Sequence, residues 1–309
     1  MPQAKANIAV IGGGTMGVDI AAGFAAGGWR VHLVEPVKEV AATAAQRLAV
    51  SLGELKSSVE TEALALYADM KDIDWDRIDL VVEAVSENLA LKQKIFAELE
   101  RRAKPDIPLA SNSSGIPISR IAQGLQTRRR MLGLHYFMPA HLVPLVEVVS
   151  SQDTDPAVAR RVSEIAADIG KRPVWVKRDI PGFLANRIQH ALMRETFALV
   201  EQGIASPEDV DASVRYGFGF RYVAAGPLLQ KDLSGLDIQC AAAEGVYPDL
   251  CNDAQPSPCL KDKVLAGEIG VKSKKGFYDW DEESIRAEKT RYKSALMAAL
   301  EILQKEGIK

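Results

Sequence analysis

The sequence predicts an α/β protein in two parts, a doubly wound sheet with helices on both faces followed by an all-helical domain. Three observations predict it. Short apolar runs alternate with stretches of helical periodicity through the first half, a glycine-rich turn joins the first run to the first helix, and beyond about Asp179 the strand-like runs stop. Such alternation calls for parallel strands, because parallel neighbours need a crossover between them. A chain of 309 residues suffices for roughly two domains. Domains spanning 1–180 and 181–309 are expected.

Taken in order, Asn7–Ile11 (NIAVI) and Arg30–Val34 (RVHLV) read as the first two strands, with a helix over 16–27 between them and another over 36–55 after them. Residues 79–85 (DLVVEAV) read as a strand, Leu89–Arg102 as a helix, 107–111 as a strand and 117–126 as a helix. The run 131–137 (MLGLHYF) is the next strand, and the turn-rich MPAHLVP allows residues 145–148 to fold back on it. Asp179-Ile180-Pro181-Gly182 punctuates the change of pattern. After it, 183–202, 207–216, 235–246 and Glu282–Lys305 read as helices.

Composition excludes several classes. Hydrophobic residues at 47% and charged ones at 26% fit a soluble globular chain, not a disordered or collagen-like one. A net charge of -3 supplies no basic field for nucleic acid, and no apolar run approaches a membrane span. Cys240, Cys251 and Cys259 are odd in number and form no C-x-x-C pair, so neither a disulfide framework nor a metal site is expected. The N-terminus lacks the apolar core of a signal peptide. A cytoplasmic protein is expected.

Gly12-Gly13-Gly14-Thr15-Met16-Gly17 follows the first strand and opens the first helix. In that context Gly12 permits the tight turn, Gly14 lets a pyrophosphate approach the backbone, and Gly17 allows close helix–strand packing. The free N–H groups at the helix start, around Thr15 and Met16, suit phosphates. Glu35 ends the second strand, where a carboxylate binds ribose hydroxyls and repels a 2′-phosphate. NAD is therefore the expected cofactor, although Lys38 stands close by.

Four histidines are present. His32 lies within the second strand, His141 between Pro139 and Pro144 in an expected loop, and His190 in mid-helix. His135 remains, near the end of a strand where ligands of such sheets gather. A fold-back centred on His141 makes His135 and Glu147 equidistant from the turn, so that they pair across the strands. A carboxylate there fixes the tautomer of the ring and stabilises its imidazolium. The alternative is a hairpin whose His and Glu are merely solvated.

The glycine fingerprint, DLVVEAVSEN with Lys92, SNSSGIPISRIA, GLHYFMPAHLVPLVEVV, DIPGFLANR and the late KSKKGFYDW together resemble the 3-hydroxyacyl-CoA dehydrogenase superfamily over nearly the whole chain. The resemblance implies a Rossmann-like NAD domain, a helical C-terminal domain that usually builds a homodimer, and oxidation of a secondary alcohol. By motif, His135 corresponds to the catalytic histidine and Glu147 to its partner. Ser114 and Asn186 correspond to residues that orient the substrate oxygen, and Glu87 and Lys92 to contacts of the nicotinamide half of the cofactor.

Three departures place the sequence closer to the branch that does not use CoA, which contains λ-crystallin (L-gulonate dehydrogenase), L-carnitine dehydrogenase and 5-formyl-3-hydroxy-2-methylpyridine-4-carboxylate dehydrogenase. Residues 36–71 carry four basic side chains against five acidic ones, where CoA-using members have a longer basic helical hairpin. GFGFRYVAAGP (217–227) contains Arg221, which can grip a free carboxylate with two parallel hydrogen bonds. Arg221 could equally cap a helix or pair with Asp232. Met138 replaces an asparagine usual after the family's His-Phe-Phe. The expected substrate is a small hydroxy acid or related aldehyde acid. The alternatives are a short-chain L-3-hydroxyacyl-CoA (3-hydroxybutyryl-CoA) dehydrogenase and, from another class, a nucleotide-binding structural protein.

Overall fold

The computed structural model describes residues 6–59 and 64–305. Glu60 and Glu62, counted in the charge balance above, and residues 1–5 of the N-terminus lie outside the described residues. The chain divides into two compact units, Met1–Arg187 and Ile188–Lys309.

In the first unit, eight strands form one sheet: β1 (Asn7–Ile11), β2 (Arg30–Val34), β3 (Leu64–Tyr67), β4 (Leu80–Glu83), β5 (Leu109–Ser111), β6 (Met131–Tyr136), β7 (Leu145–Val149) and β8 (Arg172–Val176). Their order is β3-β2-β1-β4-β5-β6-β7-β8. Among the described strands of this sheet, only the β6–β7 pairing is antiparallel. The chain winds outward from β1 in both directions, so the C-terminal ends of β1 and β4 border a crevice where ligands of such sheets bind.

Side chains alternate across these strands. Ile8 and Val10 of β1 join the apolar cluster shared with α1 (Thr15–Ala26), α2 (Lys38–Glu54) and the helix Pro156–Asp168. Ala9 and Ile11 join the opposite cluster, with Ile95, Phe96 and Leu99 of α3 (Leu89–Arg102) and Ile118 and Ile121 of α4 (Ile118–Ile121). The sheet is thus covered on both faces, which is why its central strands read as continuous apolar runs.

Three elements carry weaker signals than the rest. The helix α5 (Pro156–Asp168) buries Ala159, Val162 and Ala166, small side chains that make a faint stripe, although Asp155 caps it and Pro156 opens it. The edge strand β3 is only partly buried, and β8 contains a proline. The helix expected over 117–126 shrinks to Ile118–Ile121.

The second unit is helical. It takes in most of α6 (Ala185–Glu201), then α7 (Pro207–Ala212), α8 (Gly219–Arg221), α9 (Pro227–Ser234), α10 (Leu236–Val246), α11 (Pro258–Leu265) and α12 (Glu282–Lys305). A π-helical turn, Ser213–Phe218, breaks at Gly217 between α7 and α8. Among the described residues, no helix is long and apolar enough to cross a membrane.

Candidate active site

The β6–β7 hairpin sets the site. Its register places His135 directly opposite Glu147. His135 Nδ1 lies 2.8 Å from Glu147 Oε2, and both side chains are buried. The other oxygen, Oε1, accepts the backbone N–H groups of Leu184 (3.1 Å) and Ala185 (2.7 Å) at the start of α6. A helix N-terminus favours the ionised carboxylate, so Nδ1 carries the proton and donates it to Oε2. Nε2 is then left as an acceptor facing Ser114 Oγ at 3.1 Å. The rings of Phe137 and Phe183 flank the imidazole, with centroids 4.5 and 5.6 Å away. Apolar walls and a bonded carboxylate make this ring a pre-oriented proton acceptor.

Ser114 is exposed, on the loop after β5. Glu87 holds that loop: its Oε1 accepts the Ser113 hydroxyl at 2.5 Å and the N–H groups of Ser114, Gly115 and Ile116. Burial opposes charge on Glu87, but these hydrogen bonds and the nearby Lys92 ammonium outweigh it and hold the carboxyl below its usual range. Lys92 lies 3.4 Å from Glu87 Oε2 and 2.7 Å from Glu83 Oε1. Glu83 is fully buried and also accepts the Ser111 hydroxyl and the Val85 N–H. Sequence reasoning missed Glu83, because it sits inside an apolar strand run; its only signal was a charge in VVEAV nine residues before Lys92. Asn186 is half-buried, and its amide donates to the Ser114 carbonyl at 3.3 Å.

The glycine turn forms a cradle at the C-terminal end of β1. Gly12 adopts φ +108°, and a Cβ there would lie 2.8 Å from Ala84 O. A Cβ on Gly17 would lie 1.8 Å from Gly12 O, so only glycine lets α1 approach the strand. Around Gly14 the added Cβ meets nothing within 4 Å, which leaves the backbone open to a ligand. No side chain caps α1, and its first turn holds no acidic residue. The N–H groups around Thr15 and Met16 therefore remain for an anion. Glu35 is buried and accepts the Gly13 and Val37 N–H groups, both at 2.8 Å. A dinucleotide fits these residues: an open, uncapped helix start for its phosphates and an anchored carboxylate for a ribose.

The other singled-out residues sit elsewhere. His32 is buried between Tyr67 and Asn7, and His190 is exposed on α6. His141, expected in a loop, does lie in the β6–β7 turn but is buried there, its Nε2 2.7 Å from Glu54 and its Nδ1 3.1 Å from Asp19. Arg221 is exposed on α8 and, among the described residues, forms no ion pair with Asp232 or any other carboxylate.

A doubly wound sheet with a dinucleotide cradle and a carboxylate-paired histidine defines an NAD-dependent oxidoreductase. Comparison with known proteins makes the class specific. The 3-hydroxyacyl-CoA dehydrogenase NAD binding domain matches residues 7–180 and the C-terminal domain of the same family matches residues 182–280. The chain belongs to the 3-hydroxyacyl-CoA dehydrogenase family, and it is an NAD-dependent dehydrogenase. It is 33% identical over 304 residues to a 5-formyl-3-hydroxy-2-methylpyridine 4-carboxylate 5-dehydrogenase of Mesorhizobium japonicum, covering 96% of this chain and 98% of that one. It is 36% identical to a 3-hydroxybutyryl-CoA dehydrogenase of Mycobacterium tuberculosis, over 91% of this chain and all of that one. Among solved structures, a pyridine carboxylate dehydrogenase of the first kind, described as an NAD+-dependent dismutase, superposes with a TM-score of 0.90 at 32% identity, covering 96% and 98% of the two chains. A 3-hydroxybutyryl-CoA dehydrogenase from Ralstonia eutropha superposes at 0.72 with 28% identity, covering 89% and 99%.

Proposed function

We propose that this enzyme transfers hydride between NAD and a carbon bearing a hydroxyl group or an aldehyde hydrate, on a small substrate with a free carboxylate. The observation that carries the chemistry is the chain Ser114–His135–Glu147, anchored by the N–H groups of Leu184 and Ala185. NAD, when bound, supplies the hydride acceptor. His135 Nε2 takes the proton of the reacting hydroxyl, and Glu147 balances the charge that forms on the ring. Ser114 Oγ shares the substrate oxygen with His135, while Asn186 holds the Ser114 carbonyl. Glu87 and Lys92 fix the loop that presents Ser114 beside the nicotinamide half of the site.

The closer superposition on the pyridine carboxylate enzyme supports a substrate without CoA. So does α2: its two basic side chains, Lys38 and Arg47, are matched by Glu39 and Glu54, and Arg47 is turned to the glycine loop of the cofactor cradle, so the helix sets no basic patch apart for the CoA nucleotide. Arg221, exposed and without an ion-pair partner among the described residues, is the residue we assign to the substrate carboxylate. We also infer a homodimer built on the helical unit, and a reducing cytoplasm, which accords with three free cysteines.

A substrate panel tests the reading: 3-hydroxybutyryl-CoA against 3-hydroxybutyrate, L-carnitine, L-gulonate and 5-formyl-3-hydroxy-2-methylpyridine-4-carboxylate, with NADH formation as readout. Turnover of a free acid is expected, with Arg221→Ala raising its KM by about tenfold or more. Turnover of the thioester alone overturns the carboxylate reading. Paired formation of acid and alcohol from the aldehyde, without net NADH, places the enzyme with the dismutases.

A further inference from the structure

The glycine turn is held from both ends of one residue. Glu35 accepts the N–H of Gly13, and Arg47 of α2 donates from Nη2 to the carbonyl of the same Gly13 at 2.6 Å. Arg47 Nη2 also donates to Val40 O at 3.1 Å, and Nε donates to Thr43 Oγ1 at 3.2 Å. A guanidinium has five N–H groups, so these three bonds leave the pair on Nη1. Among the described residues, Nη1 has no acceptor and Arg47 has no carboxylate partner. The side chain is half-buried, and its charge is fixed beside an uncapped helix start with an open face at Gly14.

From this placement we infer that Arg47 is a cofactor-binding residue that recognises the diphosphate of the dinucleotide. The two remaining N–H groups match two phosphate oxygens, and three bonds to the protein pre-order the guanidinium so that little entropy is lost on binding. The helix start and the arginine then act on one diphosphate, the first through backbone N–H groups and the second through a full charge. Glu35 provides the complementary half, a carboxylate suited to ribose hydroxyls. This role of Arg47 is independent of which substrate the site takes.

The competing role for Arg47 is a clip that only shapes the glycine turn, and the two differ in which fragments they affect. Dissociation constants of ADP-ribose, ADP and adenosine are measured on the full-length protein by displacement of NADH fluorescence. If Arg47 reads the diphosphate, Arg47→Ala weakens ADP-ribose and ADP by about tenfold or more, while adenosine stays within about twofold. Wild-type ADP affinity also falls more steeply with salt than that of the variant. Should Arg47→Ala not fold, Arg47→Lys keeps the charge but loses the fork, and ADP is expected to weaken several-fold with adenosine unchanged. Parallel weakening of adenosine and ADP, or no change in either, overturns the inference.

Discussion

The residue that concentrates the chemistry is His135, and its environment fixes what each substitution does. Replacing it by alanine removes the proton acceptor and leaves the glycine turn and Glu35 untouched, so kcat is expected to fall by about 10²–10⁴ with NADH affinity unchanged. Steady-state kinetics alongside NADH titration check both halves. Glu147→Gln is the subtler change. Its carbonyl can still accept from Leu184 and Ala185, which leaves an amide N–H₂ facing His135 Nδ1. Two donors cannot share that contact, so the ring adopts the other tautomer and Nε2 carries the proton instead. A loss comparable to His135→Ala is therefore expected, and retention of more than about a tenth of activity would contradict the assigned tautomer. The pairing of these two residues was legible in the sequence because strand register follows from the position of the turn. Glu83 was not, because a buried carboxylate at the end of an apolar strand run shows its role only once its partner, Lys92 of α3, is known.

At the scale of elements, the glycine turn and the β6–β7 turn position the cofactor cradle and the hairpin. The glycines differ in what they exclude. A Cβ at Gly17 collides with backbone, whereas one at Gly14 meets no protein atom. Gly14→Ala should thus melt like wild type yet weaken NADH by about tenfold or more, because the methyl occupies the path of the phosphates. Unchanged NADH affinity would move the phosphates away from this turn. The β6–β7 turn is fastened to the sheet by Lys171, whose ammonium donates to the carbonyls of Ala140, His141 and Val143, and by His141 between Asp19 and Glu54. Burial pushes Lys171 down to about 8. Burial also opposes charge on His141, but the two carboxylates outweigh it and raise the ring above 6.5. A group raised on folding stabilises most below its unfolded value and loses that contribution as pH rises through the folded one. The Tm gap between wild type and His141→Gln is therefore expected to be widest below 6.5 and to narrow as pH rises above that value. A gap that is constant with pH would mean that His141 packs there without its charge. None of this was readable from the sequence, since Asp19, Glu54 and Lys171 are 122, 87 and 30 positions from His141. The elements that carry strong apolar patterns were readable. Those resting on alanine stripes or sheet edges, α5, β3 and β8, were not.

At the scale of the molecule, the two units differ in how much they bury. The first has two extensive apolar clusters. In the second, only Ala198 and Val210 are buried among the described residues. Large apolar side chains on α9 and α10 are instead exposed, among them Leu228 (82%), Leu233 (77%) and Ile238 (65%). A chain cannot order helices whose apolar faces stay in water, because conformational entropy then goes unopposed. Exposed apolar side chains in such number on two neighbouring helices are what an interface would cover, and a second copy of the same chain is the occupant we propose. Sedimentation equilibrium is thus expected to give twice the 33.5 kDa of one chain. The melting temperature should rise with protein concentration, as it does when folding is linked to association. Leu228→Glu with Leu233→Glu should yield a monomer with a less stable helical unit, because two buried charges without partners oppose the interface. A wild-type monomer with a concentration-independent melt would show that these leucines remain in water, and the homodimer would be withdrawn while the assignment of His135 and Glu147 stood.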